Sequence, residues 1–316
     1  MAASPISRQK ALREWKLYLF VLPSLLFVAT FSYLPAASAV YHSFFDWAGG
    51  EAKQFIGLDN FRRAWKDVVL WDSFKTVSVL MLFNLAKMVP AILMAVLIHR
   101  LKSERWQYFY RVLLVVPMIV PSLVTLFVWK FFFDPNLGIL NRVLDATGLK
   151  SLLVSVDGFF GWGVFFADVP IGWLSQPELI FPALFIWGFP WIGAVGVLIY
   201  LAGLQSISQE VYEAAELDGV GPFGKFLYIE LPLILTQVRL SLILLVVSTL
   251  QGYGFLLLLL GEGGGPSGRG MVPGLWMYNR AFIAGEFGYA CAIGMILFVF
   301  ILFLTYLNQR YVRVEK

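Results

Sequence analysis

Six stretches of this chain, at about 17–41, 73–98, 111–133, 179–204, 233–260 and 282–307, are apolar for more residues than the roughly 20 needed to cross a hydrocarbon layer about 30 Å thick. Inside lipid the backbone must satisfy its own hydrogen bonds, which leaves only helices and closed barrels. A barrel would show segments of about ten residues of alternating hydrophobicity, and that pattern is absent. The expected fold class is therefore all-α: a polytopic membrane protein with six transmembrane helices. Composition agrees, since 14% of the residues are charged where a soluble domain carries about 25%.

An even number of spans puts both termini on one side. The tail at 1–16, the loop at 99–111, the loop at 205–231 and the tail at 308–316 together hold 12 Lys and Arg, against nine in the opposite loops. The positive-inside rule then makes both tails cytoplasmic, because short loops decide and long translocated segments count little. The membrane domain is expected over 17–307. The first apolar run, Leu17 to Val40, exceeds the 7–15 residues of a signal-peptide core, so an uncleaved first span is expected. The outer loops, at 42–72 and 134–178, are long. The second carries FFGWGVFFADVPIGW, which is too short and interrupted to span and is expected along the membrane interface, where aromatic rings are favoured, with a re-entrant loop as the alternative.

Between the fourth and fifth windows lies a hydrophilic segment, EAAELDGVGPFGKFLYIELP, Glu213 to Pro232. Ser206-Ile207-Ser208-Gln209 fits a capping box, which predicts a helix starting there. Val211, Ala214, Ala215 and Asp218 fall at i, i+3, i+4 and i+7, so the two alanines are expected on one face, small enough for close approach. Gly219 is expected to end that helix in a left-handed conformation. Gly221-Pro222 then opens a second one, since Pro loses no hydrogen bond at a first helical position. Pro232 marks the return to the membrane. Glu210, Glu213, Glu216, Asp218 and Glu230 face a single Lys225, so the acidic pair of helices suits a basic groove on a cytoplasmic partner.

The spacing E-A-A, three residues, G, nine residues, I-x-L-P matches Glu213-Ala214-Ala215, Gly219, Ile229 and Leu231-Pro232. It resembles the EAA loop of binding-protein-dependent ABC importer permeases. LAGLQSISQEVYEAAELDG, FIGLDNFRRAW at 55–65 and GGGP at 263–266 look like the sugar-import branch, which includes the maltose and glycerol-3-phosphate permeases. Two features depart from the branch: Leu260-Gly261-Glu262 stands where a Thr commonly precedes the Gly-Gly-Pro turn, and 152–169 looks inserted. The resemblance implies an inner-membrane permease of a bacterium or archaeon. Its partners would be two copies of a cytoplasmic ATPase, a second homologous permease and an extracytoplasmic solute-binding protein. Glu213, Ala214, Ala215, Asp218, Gly219, Ile229, Leu231 and Pro232 of the 205–232 loop would couple it to the ATPase. The chain has no GxxxxGK[ST] of its own, so ATP and Mg are expected to be used by the partner, with no cofactor bound here.

Within the spans, polar groups are costly and each is a candidate for function or for interhelical bonding. Asn84 and Lys87 are i, i+3 neighbours, and Ser241, Ser248 and Gly252 recur at i, i+7 and i+11, with Thr249 and Gln251 alongside. Asn84, Lys87, Ser241, Ser248 and Gln251 are the candidate translocation path for a sugar or polyol. Phe185, Trp187, Phe189 and Trp191 surround Pro190, where a bend is expected and an aromatic face could stack on a sugar. An ion-coupled secondary transporter, the alternative, would need carboxylates inside the spans, and only Glu286 lies there, near an end. His42 and His99 fall on opposite expected sides and Cys291 is alone, so no metal site, disulfide or catalytic residue is expected.

Overall fold

The structure, a computed structural model, describes residues 15–311. Most of the expected N-terminal tail, and the C-terminal tail beyond Tyr311, lie outside the described residues. In chain order the helices begin with α1 (Trp15–Val28) and α2 (Leu34–His42), joined through a wider π turn at Ala29–Tyr33. A hairpin of β1 (Phe45–Trp47) and β2 (Lys53–Phe55) and then α3 (Asp59–Lys66) follow. Next come α4 (Val68–His99), α5 (Glu104–Val115), α6 (Ser122–Phe132), α7 (Ile139–Ala146) and α8 (Leu149–Phe160). The middle of the chain forms α9 (Ile180–Ile186), α10 (Ala194–Leu204), α11 (Gln209–Leu217), α12 (Pro222–Lys225) and α13 (Leu231–Leu233). The last are α14 (Leu235–Gln251), α15 (Gly254–Leu260), α16 (Pro273–Tyr278) and α17 (Phe287–Tyr311).

Three helical runs are long and apolar enough to cross a membrane unaided: Leu19–His42, Val68–His99 and Phe287–Tyr311. The other three windows are helical but interrupted. The third bends by 89° between Ile119 and Ser122, where Pro121 cannot donate to the turn before it. The fourth splits into α9 and α10 at Trp187–Gly193, and the fifth into α14 and α15 at Gly252. The bend expected at Pro190 is thus an outright interruption: Gly188 and Trp191 both adopt positive φ, and Phe189–Pro190 is cis.

The chain divides into two compact units. One comprises residues up to Asp67 together with Met277–Ile296. From Leu19 to Ser38, through α1, the π turn and the start of α2, every side chain is exposed, as expected of a surface that meets lipid or another subunit. The antiparallel hairpin, paired Phe45 to Phe55 and Trp47 to Lys53, is a small departure from an all-α fold. Buried Asn60 secures it, its amide donating to the Ser43 and Phe45 carbonyls at 3.0 and 2.9 Å. Arg63 forks onto Glu286 at 2.9 and 2.8 Å and covers the Tyr289 ring, while the Tyr289 hydroxyl donates to Asp67 at 2.6 Å. The DNFRRAW stretch therefore has a structural task in this unit.

The second unit holds Val68–Trp276 and Leu297 onward. Its main seam packs α4 on α10, with Ala91, Ile92, Ala95 and Val96 against Val197, Tyr200, Leu201 and Leu204. Lipid offers no hydrophobic gain for such a pairing, so close contact between small residues has to supply it. Gly203 lets α14 approach: a Cβ there would sit 2.6 Å from the Gln237 side chain. The region expected as a long outer loop at 134–178 is folded. The pair α7 and α8 packs over Phe133, Ile171, Trp173 and Leu179. Buried Asn141 accepts from the Trp173 indole at 2.8 Å and donates to the Pro135 and Ile171 carbonyls. Asp157 accepts from the Gly163 and Val164 amides. The 152–169 stretch is thus partly helical, with Phe159 and Trp162 exposed.

Candidate functional site

The hydrophilic hairpin folds as a helix, a tight turn and a second helix. The first helix, α11, starts at Gln209 and not at the Ser206 capping box; the Ser206 hydroxyl instead donates back to the Gly203 carbonyl at 2.7 Å, finishing α10. A 73° bend between α10 and α11 is the cause, because the chain at 205–208 closes one helix before it opens the next. At its far end the Gly219 amide reaches the Glu216 carbonyl and the Val220 amide the Ala215 carbonyl, at 3.1 and 2.9 Å. That pair of bonds is a Schellman closure, and it requires the left-handed φ of +72° at Gly219. Gly221 then precedes α12, whose first residue is Pro222.

The two alanines do not share one exposure: Ala215 is buried and Ala214 open. Consecutive helical residues point about 100° apart, and only one of them can face inward. Outward, the hairpin presents Glu210, Glu213, Glu216 and Asp218. Three large apolar side chains stand among them, Leu217, Phe223 and Tyr228, exposed by 90%, 76% and 75%. Lys225 donates to Glu216 at 2.7 Å, and this hydrogen bond and charge hold the Glu216 carboxyl below the usual carboxylate range. Ile229 and Leu231 are half-buried, and Pro232 lies within the short α13, one turn before α14 begins.

Inward, the hairpin is tied to the end of α4. Arg100 donates from Nε and Nη2 to the two oxygens of Glu230, at 3.0 and 2.7 Å, and Nη2 also reaches the Pro222 carbonyl at 2.8 Å. Glu230 is completely buried, so this fork neutralises a carboxylate that could not otherwise stay there. One residue earlier, the His99 imidazole and the Tyr212 hydroxyl share a hydrogen bond of 3.1 Å. Burial, with the Glu230 charge nearby, pushes the Tyr212 hydroxyl up to about 12. Gln107 closes the same helix end by donating to the His99 and Leu101 carbonyls. Reasoning from sequence missed this clamp. Its signal was the variable x of I-x-L-P, which is Glu here, five residues after Lys225.

Twelve residues up α4, Asn84 and Lys87 line two adjoining cavities of about 280 and 440 Å³. Ser248, Thr249, Phe83 and Phe255 line the first; Ser241, Tyr200, Trp191 and Met88 line the second; Trp187 borders both. Asn84 donates to Thr249 at 2.9 Å. The Lys87 ammonium donates to the Leu184 and Trp187 carbonyls at 2.8 and 3.1 Å. Four of the five candidate path residues are thus brought together. Gln251 is exposed at the end of α14 and lines neither cavity. Of the aromatic group around Pro190, Trp187 and Trp191 reach the cavities while Phe189 is 63% exposed.

Apolar helices interrupted around a largely apolar cavity that carries Asn84, Lys87, Ser241 and Ser248, with a hydrophilic hairpin clamped to the end of one of them, are the arrangement of a membrane-embedded transport subunit. The chain belongs to the family of binding-protein-dependent transport system inner membrane components, whose profile matches residues 88–313, more than half of it. It is the permease subunit of an ABC importer. It is similar, at 29% identity over 87% of this chain and 76% of the relative, to the diacetylchitobiose uptake system permease protein of Streptomyces coelicolor. It is also 29% identical to the trehalose/maltose transport system permease protein of Thermococcus litoralis, over 93% and 92% of the two chains. The fold matches a chain in the crystal structure of a bacterial alginate ABC transporter in complex with an alginate pentasaccharide-bound periplasmic protein. There the TM-score is 0.76 and the identity 19%, covering 99% of this chain and all of that one.

Proposed function

We propose that this permease carries a sugar or sugar-like polyol inward across the cytoplasmic membrane of a bacterium or archaeon. The solute is delivered by an extracytoplasmic binding protein, and a separate ATPase, present in two copies, supplies the energy with ATP and Mg; this chain carries no ATPase site. A second homologous permease completes the path. Each of the six apolar windows crosses once, the interrupted ones as α5 with α6, α9 with α10 and α14 with α15, with both termini and the 205–232 hairpin in the cytoplasm. Uptake of diacetylchitobiose, trehalose or maltose by the relatives' systems supports the sugar class.

The observation that carries the reading is that one helix joins both parts. The Arg100 end of α4 holds the hairpin, and the same helix places Asn84 and Lys87 in the cavity. When the ATPase dimer closes, Glu213, Ala214, Ala215, Asp218 and Gly219 ride with it, and Ile229, Leu231 and Pro232 pass the movement to α14. Asn84, Lys87, Ser241 and Ser248 form the path wall. The test is to replace Glu213 by Ala or Gly219 by Val and to measure co-purification with the ATPase and ATP-dependent uptake in membranes. Loss of coupling is expected; full retention of both by both variants would overturn the assignment.

A further inference from the structure

We infer that the solute passing the α4 cavity is anionic, an acidic saccharide whose carboxylate or sulfonate pairs with Lys87. The inference rests on the reading that the chain carries a sugar, and it narrows which kind.

The position of Lys87 sets the problem. It stands 12 residues from the His99 end of α4 and 19 from the Val68 end, or about 18 and 28 Å along the axis at 1.5 Å per residue. A lysine side chain cannot snorkel over such distances, so its ammonium stays at membrane depth. Its hydrogen bonds go to the Leu184 and Trp187 carbonyls at the broken end of α9. Those contacts could look like a helix cap and nothing more. A cap, however, needs only donors, and a neutral amide would serve. Carbonyl dipoles offset part of a unit charge, and a buried cation without a full counter-charge is costly. No Asp or Glu lines either cavity. The one carboxylate on α4, Asp72, is exposed and occupied by Lys75 at 2.7 Å. Besides those two carbonyls the ammonium meets the Phe185 ring, 5.9 Å from its centroid, and the group borders both cavities.

The rest of the wall suits a sugar that brings the missing charge. Trp187, Trp191, Phe83 and Phe255 offer ring faces for the C–H side of a pyranose, while Asn84, Ser248 and Thr249 offer neutral hydrogen-bonding groups for hydroxyls. The two volumes fall within or just below the range of about 300–1,000 Å³ typical of small-ligand sites.

The complete importer, with its ATPase, partner permease and binding protein, is reconstituted into vesicles. It is offered matched pairs differing in a carboxylate: cellobiouronate against cellobiose, and digalacturonate against galactobiose. In the wild type, uptake of an acidic member at least about tenfold faster than its neutral counterpart is expected. Lys87→Gln should cut that uptake by about tenfold or more and Lys87→Arg should largely keep it; co-purification of the variants with the ATPase checks assembly. Equal or preferential uptake of the neutral members would overturn the anionic inference and leave the sugar reading standing. So would full acidic uptake by Lys87→Gln. If no saccharide of either kind enters while ATP is hydrolysed, the sugar reading falls and this inference with it. The wild-type comparison decides the matter even where a variant fails to assemble.

Discussion

Arg100 grips Glu230 with two hydrogen bonds, of 3.0 and 2.7 Å, across 130 residues of sequence, and Glu230 is wholly shielded from solvent. The contact joins the end of the α4 helix to the segment that leads from the hairpin into α14. Removing Arg100 would strand a buried carboxylate, which typically costs about 3–5 kcal/mol. Arg100→Ala is therefore expected to lower the thermal midpoint of the purified permease markedly. Glu230→Gln, which keeps the shape, should lower it less while reducing uptake per ATP hydrolysed. Midpoints from thermal scans and an uptake-to-hydrolysis ratio check the pair; an unchanged ratio in Glu230→Gln would remove the clamp from the transmission path.

Gly219 holds φ at +72°, yet the space where a Cβ would lie is open. The cost of Gly219→Ala should then be conformational alone, about 1–2 kcal/mol. Asn tolerates the left-handed region, so Gly219→Asn is expected to recover much of the loss. Co-purification with the ATPase across the two variants reads out the ranking, and an Asn variant no better than Ala would point to a contact in place of a turn.

Leu217 and Phe223 stand almost fully in solvent on the acidic hairpin. Exposed apolar anchors ringed by charge are what a partner's pocket takes up. Leu217→Ala and Phe223→Ala should each weaken ATPase binding by about tenfold or more, corresponding to about 1.4 kcal/mol, without moving the permease's own thermal midpoint. Titration of detergent-solubilised permease with the ATPase measures it.

The Glu216–Lys225 pair makes the opposite case. Its folded carboxyl is depressed by the Lys225 hydrogen bond, so any stabilisation is present above the usual carboxylate range and is lost as pH falls through the lower, folded value. Glu216 is exposed, and solvent screens the pair. Glu216→Gln is accordingly expected to change neither the thermal midpoint at pH 7 nor its decline in acid measurably, which scans between pH 7 and 3 would show.

Orientation is open to direct labelling. With Cys291 replaced by Ser, a cysteine at Glu216 should react with a membrane-impermeant maleimide only in inverted vesicles, and one at Asp59 only in intact cells. The reverse pattern would turn the arrangement over.

How much of this was legible in the residues varies by element. Runs of apolar side chains made the membrane helices visible, because crossing lipid demands a stretch of fixed length. Gly219 and Pro222 announced the hairpin through backbone conformations open to few other residues. The capping box at Ser206 misled, since its pattern is local while the direction of the chain there is set by the 73° bend. The α7–α8 pair inside the long 134–178 segment was not legible, because its core joins Phe133 to Trp173 and Leu179, about 40 positions further along the chain.

By itself the sequence determined that this chain lives in a membrane, that one acidic hairpin interrupts its apolar runs, and which transporter family it resembles. Each follows from composition and spacing along the chain. Only the tertiary structure decided that Arg100 answers Glu230, that Lys87 faces a cavity without a carboxylate, and that Gln251 does not. Partners of a charge in a low-dielectric interior are chosen by distance in space, and one-dimensional spacing does not carry that distance once helices break and turn.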